Sequence, residues 1–374
     1  MKVVIDARMY GLEHAGIGRY VSSLIEEIAK QDKKNKYFIL LRRKYFRNLQ
    51  FSNSHFQTIL ADWPHYSWQE QIFLPLLLFK LRPDLVHFPH FNVPLLYGGK
   101  QVVTIHDLIK HHSRGQATTT KAAWLYWPKY WVYRWLMGRV VRRAKQIITV
   151  SRWTKKELQN YYPAAAKKIT VVYNGVGSLF ADHRQRQLQS EDVLEKYQVK
   201  RPYLIYTGSL YPHKNVRRLV LAVRKIGINL VVVSSRNVFW RRFRHQVRQL
   251  QTEKLVNLVG FVPDEELVVL YRQAEAFVFP SLLEGFGLPG LEAMSVGTPV
   301  MAANAAALPE IYGPAALYFN PQDTDQLVQK INSLLNNPKI KERLIERGLE
   351  QVKKYSWVTT ARQTIKIYES CFGL

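Results

Sequence analysis

The sequence is short of three things, and each shortage excludes a class of protein. Cysteine occurs once, as Cys371, in 374 residues. No disulfide framework can form within the chain, no cysteine-based zinc site exists, and a reducing, cytoplasmic compartment is expected. Long apolar runs are missing: the cleanest, Ile72–Phe79, contains Pro75 and falls well short of the ~20 residues that a spanning helix needs. The start, Met1-Lys2-Val3-Val4-Ile5-Asp6, places an acid after three apolar residues and does not read as a signal peptide. Acidic residues are also scarce, with 28 Asp and Glu against 54 Lys and Arg, a net charge of +26. The imbalance is concentrated early, since residues 1–190 hold 30 basic and 11 acidic side chains. A surface of that kind suits nucleic acid, an anionic membrane face or a phosphorylated ligand; a charge bias without a partner is the weaker alternative.

What is present is a folded composition, 47% apolar and 22% charged, long enough for two or three domains. Val3-Val4-Ile5 reads as a buried strand, followed by a loop from Asp6 to Gly18. A helix then carries Tyr20, Val21, Leu24, Ile25 and Ile28 at helical spacing. Strands are expected at Tyr37–Leu41, Leu85–Phe88, Val102–His106, Gln146–Val150 and Ile169–Val172, with Ser151 capping a helix over Arg152–Tyr161. Polar, Gln-rich residues 181–200 read as a linker. A second series follows, with strands at Tyr203–Tyr206, Asn229–Val233, Val256–Val259, Ala276–Phe279 and Pro299–Ala302. Its helices are Asn215–Ile226, one from Pro263-Asp264, and Pro289–Val296; further helices near 323–335, 340–354 and 357–370 close the chain. Alternating strands and helices predict an α/β protein of two Rossmann-like, doubly wound domains, 1–185 and 200–355, facing across a cleft. The 357–374 segment is expected to pack back on the first.

Four places carry residues suited to chemistry. Gly16-Ile17-Gly18 precedes a helix, where glycines let the backbone approach a phosphate; a bare glycine turn fits the same residues. His106-Asp107 ends a strand at a carboxyl edge, although a lone histidine there can be structural. The turn Thr207–Asn215 contains Gly208, Ser209, Lys214 and Asn215, and a lysine at a helix start opposes the dipole unless an anion compensates it. The richest stretch, Pro280–Ala293, puts Glu284 in a glycine-rich turn and Glu292 in the following helix. The amides of Gly285, Phe286, Gly287 and Leu288 are then available for phosphate oxygens, and the carboxylates for sugar hydroxyls. Asp323-Thr324-Asp325 has the spacing of a manganese motif, but its place before a helix is explained by capping, and no metal is expected. His111-His112 reads as a solvated loop. Trp124–Lys145 mixes seven Trp and Tyr with a basic end, which suits either a membrane interface or a core helix.

These motifs, in this order, resemble family 4 of the retaining glycosyltransferases, the group 1 type with a GT-B fold. The resemblance rests on Gly16-Ile17-Gly18-Arg19, His106-Asp107, Pro212-His213-Lys214-Asn215, Glu284 through Glu292 with Phe286-Gly287-Leu288-Pro289 between, Leu308-Pro309-Glu310 and Ala315–Pro321. It implies that Gly16 lies near the donor diphosphate and that His106 lines the reacting sugar and acceptor. Lys214 would pair with the diphosphate, Glu284 orient the donor sugar, and Glu292 take the ribose. The implied reaction is metal-independent and cofactor-free, and retains configuration. It would move a mannose- or glucose-type hexose from a nucleotide sugar to a saccharide or lipid-linked acceptor, in envelope polysaccharide or glycolipid synthesis. Separately, the early charge excess and the rings of Trp124–Trp135 lead to an expectation of peripheral contact with an anionic inner membrane face, and no specific nucleic acid is expected. Ser209 and His213 depart from the family, where arginines are frequent, leaving Lys214 alone or Arg19, Arg217 or Arg218 to complete the clamp. A glycogen- or sucrose-synthase-like enzyme of the same fold is the near alternative. A basic nucleic-acid-binding protein is the distant one, and it leaves Glu284 and Glu292 unexplained.

Overall fold

Two parallel sheets organise the chain in the computed structural model, which describes residues 1–11, 15–47, 49–112, 123–177 and 189–373. The first sheet contains β1 (Lys2–Asp6), β2 (Lys36–Leu41), β3 (Phe56–Leu60), β4 (Leu85–Phe88), β5 (Gln101–Ile105), β6 (Gln146–Thr149) and β7 (Ile169–Val171). Their spatial order is β3-β2-β1-β4-β5-β6-β7. The second contains β8 (Tyr203–Thr207), β9 (Asn229–Val233), β10 (Val256–Gly260), β11 (Ala276–Phe279), β12 (Val300–Ala303) and β13 (Ala316–Phe319), in the order β10-β9-β8-β11-β12-β13. Parallel strands are joined by crossovers that cover both faces, which is why β4, β5 and β11 are buried throughout. In each sheet the order reverses beside its first strand, at β1/β4 and at β8/β11. The loops leaving such a pair part company and leave a crevice at the carboxyl ends.

The chain folds as two compact units. One comprises Met1–Leu108, Trp127–Gly175 and Ser356–Leu374; the other comprises Ile109–Tyr126 and Val176–Tyr355. In the first, one apolar layer joins Val3, Ile5 and Tyr20 with Leu24 of the Ala15–Gln31 helix and with Trp357, Ala361, Ile367 and Tyr368 of the Trp357–Ser370 helix. The opposite layer joins Val4, Val86 and Val103 with Leu74 and Leu78 of the Trp68–Leu81 helix and Met137 and Val140 of the Ala123–Arg143 helix.

Side-chain caps explain several helix starts. The hydroxyls of Ser67 and Ser151 accept from the amides of Glu70 and Thr154, and the Asn237 side chain accepts from Phe239 and Trp240. Asp323 caps Thr324–Leu335 by accepting from Gln326, and Asp325 pairs with Lys225, so both carboxylates are already engaged.

The structure corrects several expectations. Helix Ala15–Gln31 begins before Gly16, so Gly16-Ile17-Gly18 forms its first turn rather than the end of a loop. His111 is buried on a short helix, Ile109–His112, instead of sitting in a solvated loop. Ser190–Lys196 is helical where a linker was expected; the remainder of that segment, through residue 188, lies outside the described residues, as does the Trp124 side chain. Strand β3 and the helix Val238–Gln249 were not anticipated.

Candidate active site

In the second unit, β8 and β11 are neighbours, and the loops leaving them meet. Tyr211–Lys214 is strapped to the β11 loop by the Leu282 amide, which donates to the His213 carbonyl at 2.8 Å. The Asn215 amide group donates to the carbonyls of Pro280 (3.1 Å) and Pro321 (2.8 Å). Asn215 itself is left-handed, with φ of 56°, a conformation asparagine tolerates better than most residues. The turn this makes presents the Lys214 ammonium to the Glu284 carboxylate, and the two form an ion pair. The anion that the sequence demanded for Lys214 is therefore a residue seventy positions away in the chain. Both side chains are largely buried, so their mutual attraction offsets a desolvation cost that neither could bear alone.

The surrounding scaffold is built of tyrosines that the sequence reading passed over. The Tyr312 hydroxyl donates to the Gly287 carbonyl at 2.6 Å. A Cβ at Gly290 would lie 2.3 Å from that hydroxyl, and one at Gly287 would lie 2.5 Å away in a backbone with φ of 96°, so both positions require glycine. Gly287 starts the Leu288–Ser295 helix without a side-chain cap, which leaves the positive end of its dipole uncapped beside Glu284's loop. Glu292 lies inside that helix, buried, and thus separate from Glu284 as its spacing predicted. The Phe286 and Tyr355 rings meet edge to face at 5.6 Å. On the β8 side, the Tyr206 hydroxyl donates to the Ser209 carbonyl at 2.7 Å and holds the Gly208–Ser209 turn. A Cβ on Gly208 would meet that same hydroxyl at 3.0 Å.

Of the side chains that could stand in for the family arginines, Arg218 is spent on the turn at 322–324, donating to the Gln322 carbonyl and, at 3.1 Å, to Thr324 Oγ1. His213 supplies no charge at neutral pH: burial, reinforced by the adjacent Lys214 ammonium, depresses its pKa to about 3. Arg217 is exposed.

In the first unit, His106 follows β5 and is held by its own surroundings. Its Nε2 lies 2.9 Å from the Pro89 carbonyl, and the Tyr20 ring stands edge-on to it at 4.8 Å. A carbonyl only accepts, so Nε2 carries the proton and Nδ1 is left with a lone pair. Burial lowers the pKa of this imidazole against the opposing influence of the Pro89 carbonyl and the Asp107 charge, which favours the neutral ring, and Nδ1 can then accept a hydrogen bond from a hydroxyl. Beneath it runs a buried polar chain missed in the sequence: Tyr20 Oη to Thr104 Oγ1 (3.0 Å), Thr104 to His87 Nε2 (2.9 Å), and His87 Nδ1 to Tyr368 Oη (2.6 Å).

The glycines of the first helix have different work. A Cβ on Gly18 would fall 1.8 Å from the Gly11 carbonyl oxygen, whereas Gly16 is exposed with nothing within 4 Å among the described residues. Gly18 admits the 9–11 loop, and Gly16 leaves open space over the helix start. That loop begins at Arg8, also unanticipated, whose buried guanidinium bonds Asp6 at 2.7 Å and Glu70 at 2.6 Å. The Asn92 amide completes Glu70.

Residues 14–177 match the family described as Glycosyltransferase Family 4, and residues 190–351 match Glycosyl transferases group 1. O-antigen chain mannosyltransferase B of Escherichia coli is 34% identical over 237 residues, which span 60% of this chain and 61% of that protein; the match thus covers less than two thirds of that relative. Among solved structures, a sucrose-phosphate synthase from Thermosynechococcus elongatus superposes with a TM-score of 0.80 at 20% identity, covering 99% of this chain and 98% of that one. Anabaena HepE, solved in complex with UDP and glucose, gives a TM-score of 0.71 at 18% identity, covering 99% and 100%. These two likenesses show the fold, GT-B, and no more. With two adjoining family matches spanning the motif positions of both units, the chain belongs to the group 1, family 4 glycosyltransferases.

Proposed function

We propose that this chain is a retaining, metal-independent glycosyltransferase that moves a hexose, of mannose or glucose type, from a nucleotide-diphosphate sugar to a saccharide or lipid-linked acceptor in envelope polysaccharide or glycolipid synthesis. The observation that carries the reading is the Lys214–Glu284 pair beside the uncapped Leu288–Ser295 helix. A nucleotide sugar offers each partner a better match than the other does. Its diphosphate is an anion for Lys214 and the helix dipole, and its sugar hydroxyls donate to Glu284. Gly208, Ser209 and Asn215 shape the phosphate turn, Gly285 to Leu288 frame the sugar, and Glu292 takes the ribose.

In the reaction, the anomeric C–O bond to phosphate breaks while an acceptor hydroxyl forms the new C–O bond on the same face. The hydroxyl proton passes to the departing phosphate oxygen. Lys214 and the helix amides stabilise the charge that develops there, because they are in place before it forms. His106 lines the reacting sugar and acceptor, and Gly16 leaves room for the diphosphate. No step needs a resident cofactor. The name of the Escherichia coli relative favours mannose as the hexose.

A thermal-shift screen against GDP-mannose, UDP-glucose, ADP-glucose and dTDP-sugars tests the donor. A ligand at 100 times its dissociation constant stabilises by about 2.7 kcal/mol, and a flat response to all four sinks the donor site. Transfer should persist in EDTA, and the product's anomeric configuration by NMR should match the donor's. Loss on chelation with rescue by manganese contradicts the metal-free reading.

A further inference from the structure

We infer that the outward faces of the Trp68–Leu81 and Ala123–Arg143 helices form one docking surface for an anionic lipid bilayer. The two helices lie on the same side of the first sheet. The crossovers β3 to β4 and β5 to β6 run in the same direction across it, and right-handed connections then fall on one face. Their inner residues, Leu74 and Leu78 with Met137 and Val140, accordingly share one core layer. The loop between β4 and β5 ties them together: the Leu95 amide donates to Gln71 Oε1 at 2.9 Å, and the Leu95 carbonyl accepts from Arg139 at 3.3 Å. Leu96, next along, is exposed at 68%.

An outer helix face is ordinarily polar. Here Trp68, Ile72, Leu76 and Phe79, spaced four, four and three residues apart, are all exposed, Leu76 at 58% and Trp68 at 67%. Trp131 and Trp135, one turn apart on the second helix, are exposed as well. Apolar surface gathered in one place on this scale marks a site of association. The apolar run that is too short to cross a membrane is thus long enough to lie along one.

Charge selects the occupant. The only carboxylate in the first helix, Glu70, is buried against Arg8 and Asn92, and the second helix contains none. Lys80, Arg142 and Arg143 are exposed at the helix ends. Rings and aliphatic side chains framed by cations, without an exposed acid on either helix, match acyl chains beneath anionic headgroups. A second copy of this chain would set one net charge of +26 against another. Single-stranded nucleic acid would stack on the rings, but Ile72, Leu76 and Leu96 offer it nothing.

The test is co-sedimentation of the full chain with phosphatidylcholine vesicles, with and without phosphatidylglycerol, at low and high salt. Parallel binding runs use oligo-dT and size exclusion. Because no activity is read, failure of the sugar-transfer reading would not touch this one. The parent should sediment with the anionic vesicles, not the neutral ones, and release as salt rises. Leu76→Glu should weaken that partition by about tenfold or more with an unchanged melting temperature, and Ile72→Glu repeats the test should the first variant fold poorly. Arg142→Glu/Arg143→Glu should cost about fivefold or more per charge reversed. Brominated acyl chains should quench tryptophan fluorescence in the parent. Absence of binding at low salt, equal binding to both vesicle types, or parent-like sedimentation of both glutamate variants overturns the proposal. So does a dimer, or oligo-dT binding, that Leu76→Glu abolishes while vesicle binding persists.

Discussion

The Lys214–Glu284 pair joins two largely buried charges, and substitution can separate their part in stability from the activity proposed for them. Glu284→Ala strands a mostly buried ammonium, which costs on the order of 3 kcal/mol. On the proposed reading it also removes a charged hydrogen bond to the donor sugar, and turnover should fall by roughly 10–150-fold where that bond strengthens in the transition state. In the double variant Lys214→Met/Glu284→Gln, most of the lost stability should return while activity does not; denaturant midpoints and initial rates on the same preparations check both halves. A second residue-scale expectation concerns pH. His87 is fully buried, and burial, with His106 nearby, depresses its pKa from 6.5 to about 3. The unfolded chain therefore binds a proton below about pH 6.5 that the folded chain refuses until about pH 3, so stability falls as pH falls through that window. At pH 5 the penalty from this residue is about 2 kcal/mol relative to pH 7.5. Melting curves across that range should show the decline, and His87→Asn should lessen it by that amount while the share of His213, also depressed to about 3, remains. Glu284, Glu292, Lys214 and His106 were legible as single residues from motif spacing. Their partners were not, because Lys214–Glu284 and Arg8–Glu70 join residues that only strand order brings together.

At the scale of elements, the two glycines of the first helix separate backbone room from packing. Gly18→Ala forces a methyl group into the Gly11 carbonyl, and should destabilise by about 1–3 kcal/mol. Gly16→Ala meets nothing among the described residues and replaces a poor helix former, so it should stabilise by about 0.5–1 kcal/mol. Should the Gly16 variant melt higher yet bind nucleotide sugar more weakly, the open space is there for ligand. An unchanged donor KM would reduce Gly16 to a tolerated residue. Elements differed in how far they could be read. Buried strands announced themselves as apolar runs, and Ser151 and Asp323 as caps. The Val238–Gln249 helix was hidden by its arginines, although Phe239, Phe243 and Val247 mark its buried side. Trp68–Leu81 was obscured for the opposite reason: apolar residues on both its inner and outer faces leave no periodicity to read.

At the scale of the whole molecule, the first unit is completed by the last helix. Trp357, Ala361, Ile367 and Tyr368 fill the layer beneath Tyr20 and Leu24, and Tyr368 reaches His87. Tyr368→Phe leaves a buried ring nitrogen without its partner and should lower stability by about 1–3 kcal/mol, read as a shifted denaturant midpoint. That arrangement has a consequence for biosynthesis. Residues 357–371 emerge from a ribosome only after the 180 residues of Val176–Tyr355. At about 5–20 residues per second, the unfinished sheet waits roughly 10–40 s with one apolar layer open. The intervening stretch is contiguous and can close during that interval. Chains truncated after Tyr355 should therefore be protected from protease over 190–355 and cut within 1–108 and 127–175, and chaperones should hold them where they release the full-length chain.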